Sequence, residues 1–178
     1  MPVDMKNIIS EKFVSMASSK SIDKITVKAL IEECDISRQT FYYHFKDIMD
    51  VIEWSVNKKM EDTLLKSLKA QKPEEAIEIF ILSAAQNKDL IQKLLNSQRR
   101  EHVEMAFMRA TRTYLSEMLK KKCPEMQINY SDMEVALDFW ACGIAGLMFK
   151  YCGRGVEETK ILASQICRIL LGQIGIFK

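Results

Sequence analysis

The sequence predicts an all-α protein of about nine helices, three short ones followed by a set of longer ones. Three observations carry this. Apolar residues recur at three- and four-residue spacing almost throughout, the period of an amphipathic helix. Six Gly and three Pro in 178 residues leave little turn chemistry for a loop-rich β architecture. No strand-like alternation, internal repeat or low-complexity tract interrupts the pattern. With 48% apolar and 28% charged residues the chain has the composition of a globular protein. Its length suffices to bury roughly 70% of the surface that the unfolded chain exposes.

The elements follow in order. Ile8, Ile9, Phe13, Met16 and Ala17 form one stripe of a helix over 5–17. Ser18-Ser19-Lys20-Ser21 breaks it. Thr26 is a good N-cap for a short helix over 27–34, with Val27, Leu30 and Ile31 on one side. Asp35-Ile36 makes a tight connection, and Ser37 caps a third helix over 38–45 whose Phe41 and Phe45 face inward. Asp47 caps a long fourth helix. Pro73 stands near the first position of the next, over 74–86. Further helices read as 88–98, 101–122, 132–152 (capped by Ser131) and 156–174, the last two separated by Gly153-Arg154-Gly155. The change in helix length divides the chain into 1–46 and 47–178. Charge does not mark that boundary, since residues 1–70 carry 11 basic and 11 acidic side chains.

The overall balance of 26 basic against 24 acidic residues announces no polyanionic partner, so any basic footprint must be local. The five cysteines, Cys34, Cys123, Cys142, Cys152 and Cys167, form no C-x-x-C or C-x-x-H pair. They read as small buried hydrophobes in a reducing compartment rather than a zinc site or disulfide framework. The N-terminus lacks the apolar stretch of a signal peptide, and the longest apolar run, Phe139 to Phe149, is too short to span a bilayer. A cytoplasmic location, with no membrane partner, is the expectation.

Function concentrates in residues 26–46. Two short helices joined by about three residues make a helix-turn-helix. The first turn of its second helix, Arg38-Gln39-Thr40, is polar and free of carboxylates. A recognition helix presents its N-terminal residues to base edges. Arg can bond guanine bidentately, Gln adenine, and the Thr methyl can pack on thymine. Tyr42, Tyr43, His44 and Lys46 are donors suited to phosphate oxygens, and Thr26 and Lys28 open a helix able to hold a further phosphate. From Ser37 to Lys46 there are two formal positive charges, one His and no acid. The bland alternative is a helical bundle in which Tyr-Tyr-His-Phe is an aromatic rim. His102, the other histidine, has no paired metal ligand beside it.

Together, T-V-K-x-L and S-R-x-T-F-Y-Y-H-F-K after an amphipathic helix resemble the DNA-binding domain of TetR-type (AcrR-like) transcriptional regulators. The resemblance covers residues 5–54 in motif detail. It implies that Thr26 and Lys28 touch the DNA backbone, that Ser37, Arg38, Gln39 and Thr40 approach the bases, and that Tyr42, Tyr43, His44 and Lys46 clamp phosphates. Two departures are visible. Asp35 stands where the family usually has Gly, and Asp is second-best at a left-handed backbone. Ile48 stands where Lys or Arg is frequent. The Asp50 to Trp54 continuation is similar to the subgroup that includes regulators of dihydroxyacetone kinase operons.

The resemblance also implies what the longer helices do: bind a small-molecule effector and form a homodimer through the last two helices, as a palindromic double-stranded operator requires. Trp54, Met60, Phe80, Met105, Met108, Tyr114 and Trp140 are candidate pocket residues, although aromatic and Met stripes at helical spacing are more often core. Phe139, Gly143, Gly146, Leu147, Ile166, Ile169 and Leu170 are the candidate dimer interface, the two glycines allowing close approach. Asp138, a lone acid among apolar residues, is expected to pair with a basic residue across the dimer. Lys88 to Lys122 carries nine basic and four acidic residues, read as a solvated face. The expected function is sequence-specific DNA binding, most simply as a repressor. The alternative is an interaction module or co-activator working through a protein partner. No enzyme, cofactor or metal is expected, since no nucleophile–base arrangement, phosphate loop or ligand cluster is visible.

Overall fold

In a computed structural model of the chain, residues 4–125, 127–151 and 155–174 are described. Among them are nine α-helices and no strand: α1 (Met5–Ser19), α2 (Val27–Cys34), α3 (Arg38–His44), α4 (Ile48–Ser67), α5 (Pro73–Gln86), α6 (Lys88–Leu95), α7 (Arg100–Lys122), α8 (Tyr130–Tyr151) and α9 (Val156–Leu170). A 3-10 turn, Ile22–Lys24, lies between α1 and α2 where the sequence reading had no element.

The caps explain most boundaries. Thr26 Oγ1 accepts from the Ala29 amide at 3.1 Å, Ser37 Oγ from Thr40 at 3.0 Å and Asp47 Oδ1 from Asp50 at 2.9 Å. Ser131 does not cap α8. Asn129 does, accepting from the Asp132 amide at 2.8 Å, so α8 starts earlier than expected. Helix α6 ends at Leu95, before the expected 98, and α9 at Leu170, before 174. The expected break at Gly153 and Arg154, like Cys152, lies outside the described residues.

The chain forms two compact units. The first comprises the described residues up to Lys58 together with Asp89–Ala106, and the second comprises Lys59–Lys88 and the residues from Phe107 onward. The division falls inside α4 and inside α7 rather than in a linker.

The first unit has one continuous apolar core. Ile9, Phe13, Met16 and Ala17 of α1 meet Leu30 and Ile31 of α2, Phe41 of α3, Phe45, and Val51 and Ile52 of α4. Leu94 of α6 and Val103 of α7 belong to the same core. Polar contacts join its distant segments. Lys93 Nζ donates to the carbonyls of Ala17 and Ser18 at 2.8 and 2.6 Å, at the C-terminus of α1 where a cation is favoured. Asp23 accepts from the Gln98 amide at 3.1 Å and from Arg99 Nη1 at 3.3 Å.

In the second unit α9 packs along α5 and against α8. Its core includes Ala76, Phe80 and Ile81 of α5, Tyr114 of α7, Leu137, Ala141, Ile144 and Ala145 of α8, and Ala163, Ile166 and Cys167 of α9. The rings of Phe80 and Tyr114 lie 4.6 Å apart, and those of Phe107 and Phe149 5.1 Å apart. The cysteines depart from their expected burial. Cys167 is buried, Cys34 half-buried, and Cys123 and Cys142 are exposed. Exposure of those two thiols follows from their places, at the end of α7 and on the outer stripe of α8.

Candidate nucleic-acid interface

The turn between α2 and α3 is built on one backbone conformation. Asp35 has φ 51° and ψ 48°, the left-handed region expected at this position, and is the single non-glycine with positive φ among the described residues. Its amide bonds the Glu32 carbonyl at 3.3 Å and the Ile36 amide bonds Ile31 at 3.2 Å, closing the end of α2. The chain then enters α3 through the Ser37 cap.

Two aromatic anchors hold α3 from behind. Phe41 and Phe45 are buried, their ring centroids 6.1 Å apart, and Trp54 meets the edge of Phe45 at 6.1 Å. With this face fixed, the opposite one must point to water. Arg38 and Gln39 are exposed and Thr40 is half-exposed. Among the described residues Arg38 has no hydrogen bond or ion pair partner. Tyr43 is 84% exposed, its ring edge-on to His44 at 5.0 Å, and Tyr42 is 56% exposed. Lys46 is exposed, and its backbone amide is fixed by Asp50 at 3.0 Å.

The ten residues expected at this interface therefore divide. Arg38, Gln39, Tyr42, Tyr43 and Lys46 present exposed side chains on one side of α3 and the residues after it, with His44 half-buried beside them. Ser37 and Thr40 spend part of their capacity on each other, with Oγ and Oγ1 2.9 Å apart in addition to the cap. Thr26 likewise uses its hydroxyl as a cap. Lys28 is exposed and lies 3.9 Å from Glu32, a contact too solvated to hold it. The sequence reading missed Lys6, whose ammonium lies over the Phe45 ring at 5.4 Å, next to the end of α3. Nothing in the spacing of α1 points to it, because the contact depends on how α1 packs on α3.

The remaining candidates scatter. Of the expected pocket residues, Trp54 and Met105 lie in the first unit and Met60, Phe80, Met108, Tyr114 and Trp140 in the second. Met105 is 52% exposed rather than lining an interior, and Phe80 and Tyr114 stack in the core. Of the expected dimer residues, Phe139, Gly143, Gly146 and Ile169 are exposed, and Leu147 and Leu170 are half-buried. Ile166, expected with them, is buried at 2% inside its own unit. Among the described residues, and apart from α8's own nearby backbone, no atom comes within 4 Å of where a side chain on Gly143 or Gly146 would begin, so the room expected there faces outward. Asp138 pairs with Arg112 of the same chain at 2.6 Å, and Glu134 joins that guanidinium from one turn earlier. The basic residue that Asp138 meets within the chain is on α7. Two carboxylates hold the Arg112 guanidinium above its ordinary pKa, chiefly through the hydrogen bond it donates to Asp138. Among the described residues no group of three or more His, Cys, Asp or Glu is placed to hold a metal ion, and no helix is long and apolar enough to cross a membrane.

A helix-turn-helix whose second helix is anchored by two aromatics and shows an exposed, acid-free, basic face defines a DNA-binding regulator. Comparison with known proteins agrees. The TetR C-terminal family described as "Transcriptional regulator C-terminal region" matches residues 71–172. The HTH-type dhaKLM operon transcriptional activator DhaS of Lactococcus lactis subsp. lactis (strain IL1403) is 22% identical over 175 residues, which cover 97% of this chain and 92% of that protein. Lin0861 from Listeria innocua has a similar fold, with a TM-score of 0.72 at 19% identity over 96% of this chain and 95% of that one. A putative TetR-family transcriptional regulator from Syntrophomonas wolfei str. Goettingen gives 0.63 at 12% identity, covering 97% of each. The chain belongs to the TetR family of transcriptional regulators. Members of this family are regulators rather than enzymes, bind DNA operators and typically dimerise.

Proposed function

We propose that this chain binds a palindromic operator as a homodimer, with α3 of each copy in the major groove. Arg38 and Gln39 read base edges, Thr40 adds a methyl contact, and Ser37 approaches the bases while capping the helix. Tyr42, Tyr43, His44 and Lys46 hold phosphates on one side, and Thr26 and Lys28 at the start of α2 on the other. The observation that carries this reading is the pairing of a buried Phe41 on α3, and Phe45 at its C-terminal cap, with an Arg38 that is exposed at the start of the same helix and unpartnered among the described residues. In functional terms residues 1–46 are the DNA-binding domain and 47–178 the effector-binding and dimerisation domain, acting in the cytoplasm without catalysis.

The exposed stripe of α8, Val135, Phe139, Gly143 and Gly146, supports dimerisation through the last two helices, with Ile169 on α9. Phe139 is 72% exposed in the single chain, and two glycines beside it leave room for a second backbone. Effector binding in the second unit would shift operator affinity by differential binding to two states.

Repression is the direction proposed, by occlusion of a promoter. The printed name of the lactococcal relative, an operon activator, supports a second reading in which the chain activates through a protein partner. Selection from a random duplex library tests the first claim: one enriched palindrome bound by a dimer is expected, and no enrichment at low salt refutes operator reading. In vitro transcription from a promoter carrying that palindrome decides the direction.

A further inference from the structure

One cation beside the recognition helix stands without an ionic partner. Lys6 lies in the first turn of α1 and is half-buried, with its ammonium 5.4 Å from the centroid of the Phe45 ring. Phe45 is the C-cap of α3 and is 1% exposed. Phe41 and Trp54 pack on the same ring. The lysine stem thus runs from a buried ring toward the surface, and its charge sits where α3 ends.

The packing of α1 fixes that position. Ser10 stands one turn after Lys6 on the same side of α1, and its hydroxyl meets that of Ser55 on α4 at 2.7 Å. Ser55 Oγ itself donates to the Val51 carbonyl at 2.6 Å, so Ser10 is the donor to Ser55. This contact sets the rotation of α1 on α4 and turns Lys6 toward the end of α3.

The carboxylates nearest in sequence are committed to backbone amides. Asp4 accepts from Asn7 at 3.2 Å, Asp47 from Asp50 at 2.9 Å and Asp50 from Lys46 at 3.0 Å. Among the described residues neither Lys6 nor Lys46 has an ion-pair partner. An ammonium resting on a ring face still has N–H donors to offer an anion outside. The first turn of α4 brings no cation to this place. Ile48, where Lys or Arg was the frequent choice, is 5% exposed in the core, and the charge in that turn is Asp50.

We infer that Lys6 binds a phosphate of the operator backbone at the end of α3, the side that Lys46 also serves, and so supplies from α1 the cation that α4 lacks. This rests on the proposed reading of α3 as the recognition helix. Lys6 and Lys46 reach the end of α3 from different elements, so one DNA strand can cross both. Such a contact adds affinity and orientation but no choice of base.

The test uses the full chain on the duplex selected from the random library. Lys6→Met keeps the stem over Phe45 and removes the charge, and Lys6→Arg keeps the charge. Log K against log salt is measured between 50 and 200 mM, and the duplex is then rebuilt with one neutral methylphosphonate at a time. Lys6→Met is expected to reduce the slope by about 1.8, about 0.9 for each of two copies, which shrinks the affinity loss across that range about twelvefold. Lys6→Arg keeps the wild-type slope. In wild type, neutralising one particular phosphate per half-site weakens binding. Lys6→Met is indifferent to that change, yet remains sensitive where Lys46→Ala is not. The inference is overturned if Lys6→Met keeps the wild-type slope and methylphosphonate profile. It is equally overturned if Lys6→Met weakens binding by the same factor at every salt concentration, the mark of a purely structural role at Phe45. Both readouts compare duplexes on one protein, so a change in its melting temperature does not mask them. A wild type that selects no duplex sinks the operator reading and this contact with it. A normal wild type and Lys46→Ala beside an inert Lys6→Met removes Lys6 alone.

Discussion

Replacing Arg38 by Ala separates DNA reading from folding. Arg38 is the first residue of α3, is exposed, and has no hydrogen bond or ion pair among the described residues for its loss to break. A cation in the first turn of a helix also opposes the helix dipole, by a few tenths of a kcal/mol up to about 1. Folding stability of Arg38→Ala should therefore stay within about 0.5 kcal/mol of wild type or rise slightly. Operator binding should behave differently. A bidentate contact to guanine contributes about 1–3 kcal/mol of discrimination, or roughly 5- to 150-fold in Kd for each half-site. On the dimer reading the loss counts twice, about 2–6 kcal/mol per dimer. The assay is a fluorescence-anisotropy titration of the selected operator, repeated with each base pair of the half-site substituted in turn. Wild type should lose affinity sharply at one pair to which the variant is indifferent. The salt dependence should keep its slope, because the lost contact is to a base and not a phosphate. Equal affinity of both proteins for operator and substituted duplexes would falsify the assignment of Arg38 as a base reader.

Three further outcomes are expected. Lys46→Ala should weaken binding to all duplexes alike and reduce the slope of log K against log salt by about 1.8, about 0.9 for each of the two copies, measured between 50 and 200 mM salt; an unchanged slope would remove Lys46 from the phosphate contacts. Asp35→Ala should lower stability by about 1 kcal/mol in urea unfolding because alanine disfavours the left-handed turn, whereas Asp35→Gly should not lower it. The Tyr114 hydroxyl is pushed up to about 12 by burial, from an ordinary value of 10.0. Its unfolded form loses the proton first, so stability falls as pH rises from about 10 to 12, and Tyr114→Phe should flatten that decline in pH-dependent unfolding.

Most of the helical frame was legible in local pattern, and the reasons are visible in particular residues. Thr26, Ser37 and Asp47 cap as their chemistry dictates, and Phe41 and Phe45 face inward because four residues bring them back to one side. The left-handed turn at Asp35 was legible for the same reason, being set by two adjacent residues. What local pattern does not encode is which distant surface a side chain meets. Asp138 looked solitary in sequence because Arg112 lies 26 positions away on another helix. Ile166 and Ile169 sit three apart on one apolar stripe, yet packing against the chain's own helices buries the first and leaves the second outside. Asn129 and Ser131 are both good caps, and the backbone selected the earlier one. The candidate recognition residues come together because a helix-turn-helix is read from one short segment. A site within the second unit is assembled from several helices.

Leu94 and Val103 close the same core as Phe13 and Phe41, and Lys93 seals the end of α1. During synthesis, then, the first fifty residues leave the ribosome without the segment that completes them. The helix-turn-helix must wait for more than forty further residues before its hydrophobic interior is shut. A chain cut after α4 would expose that interior to solvent and to other nascent chains. Aggregation, rather than a small autonomous DNA reader, is the fate this arrangement gives such a fragment.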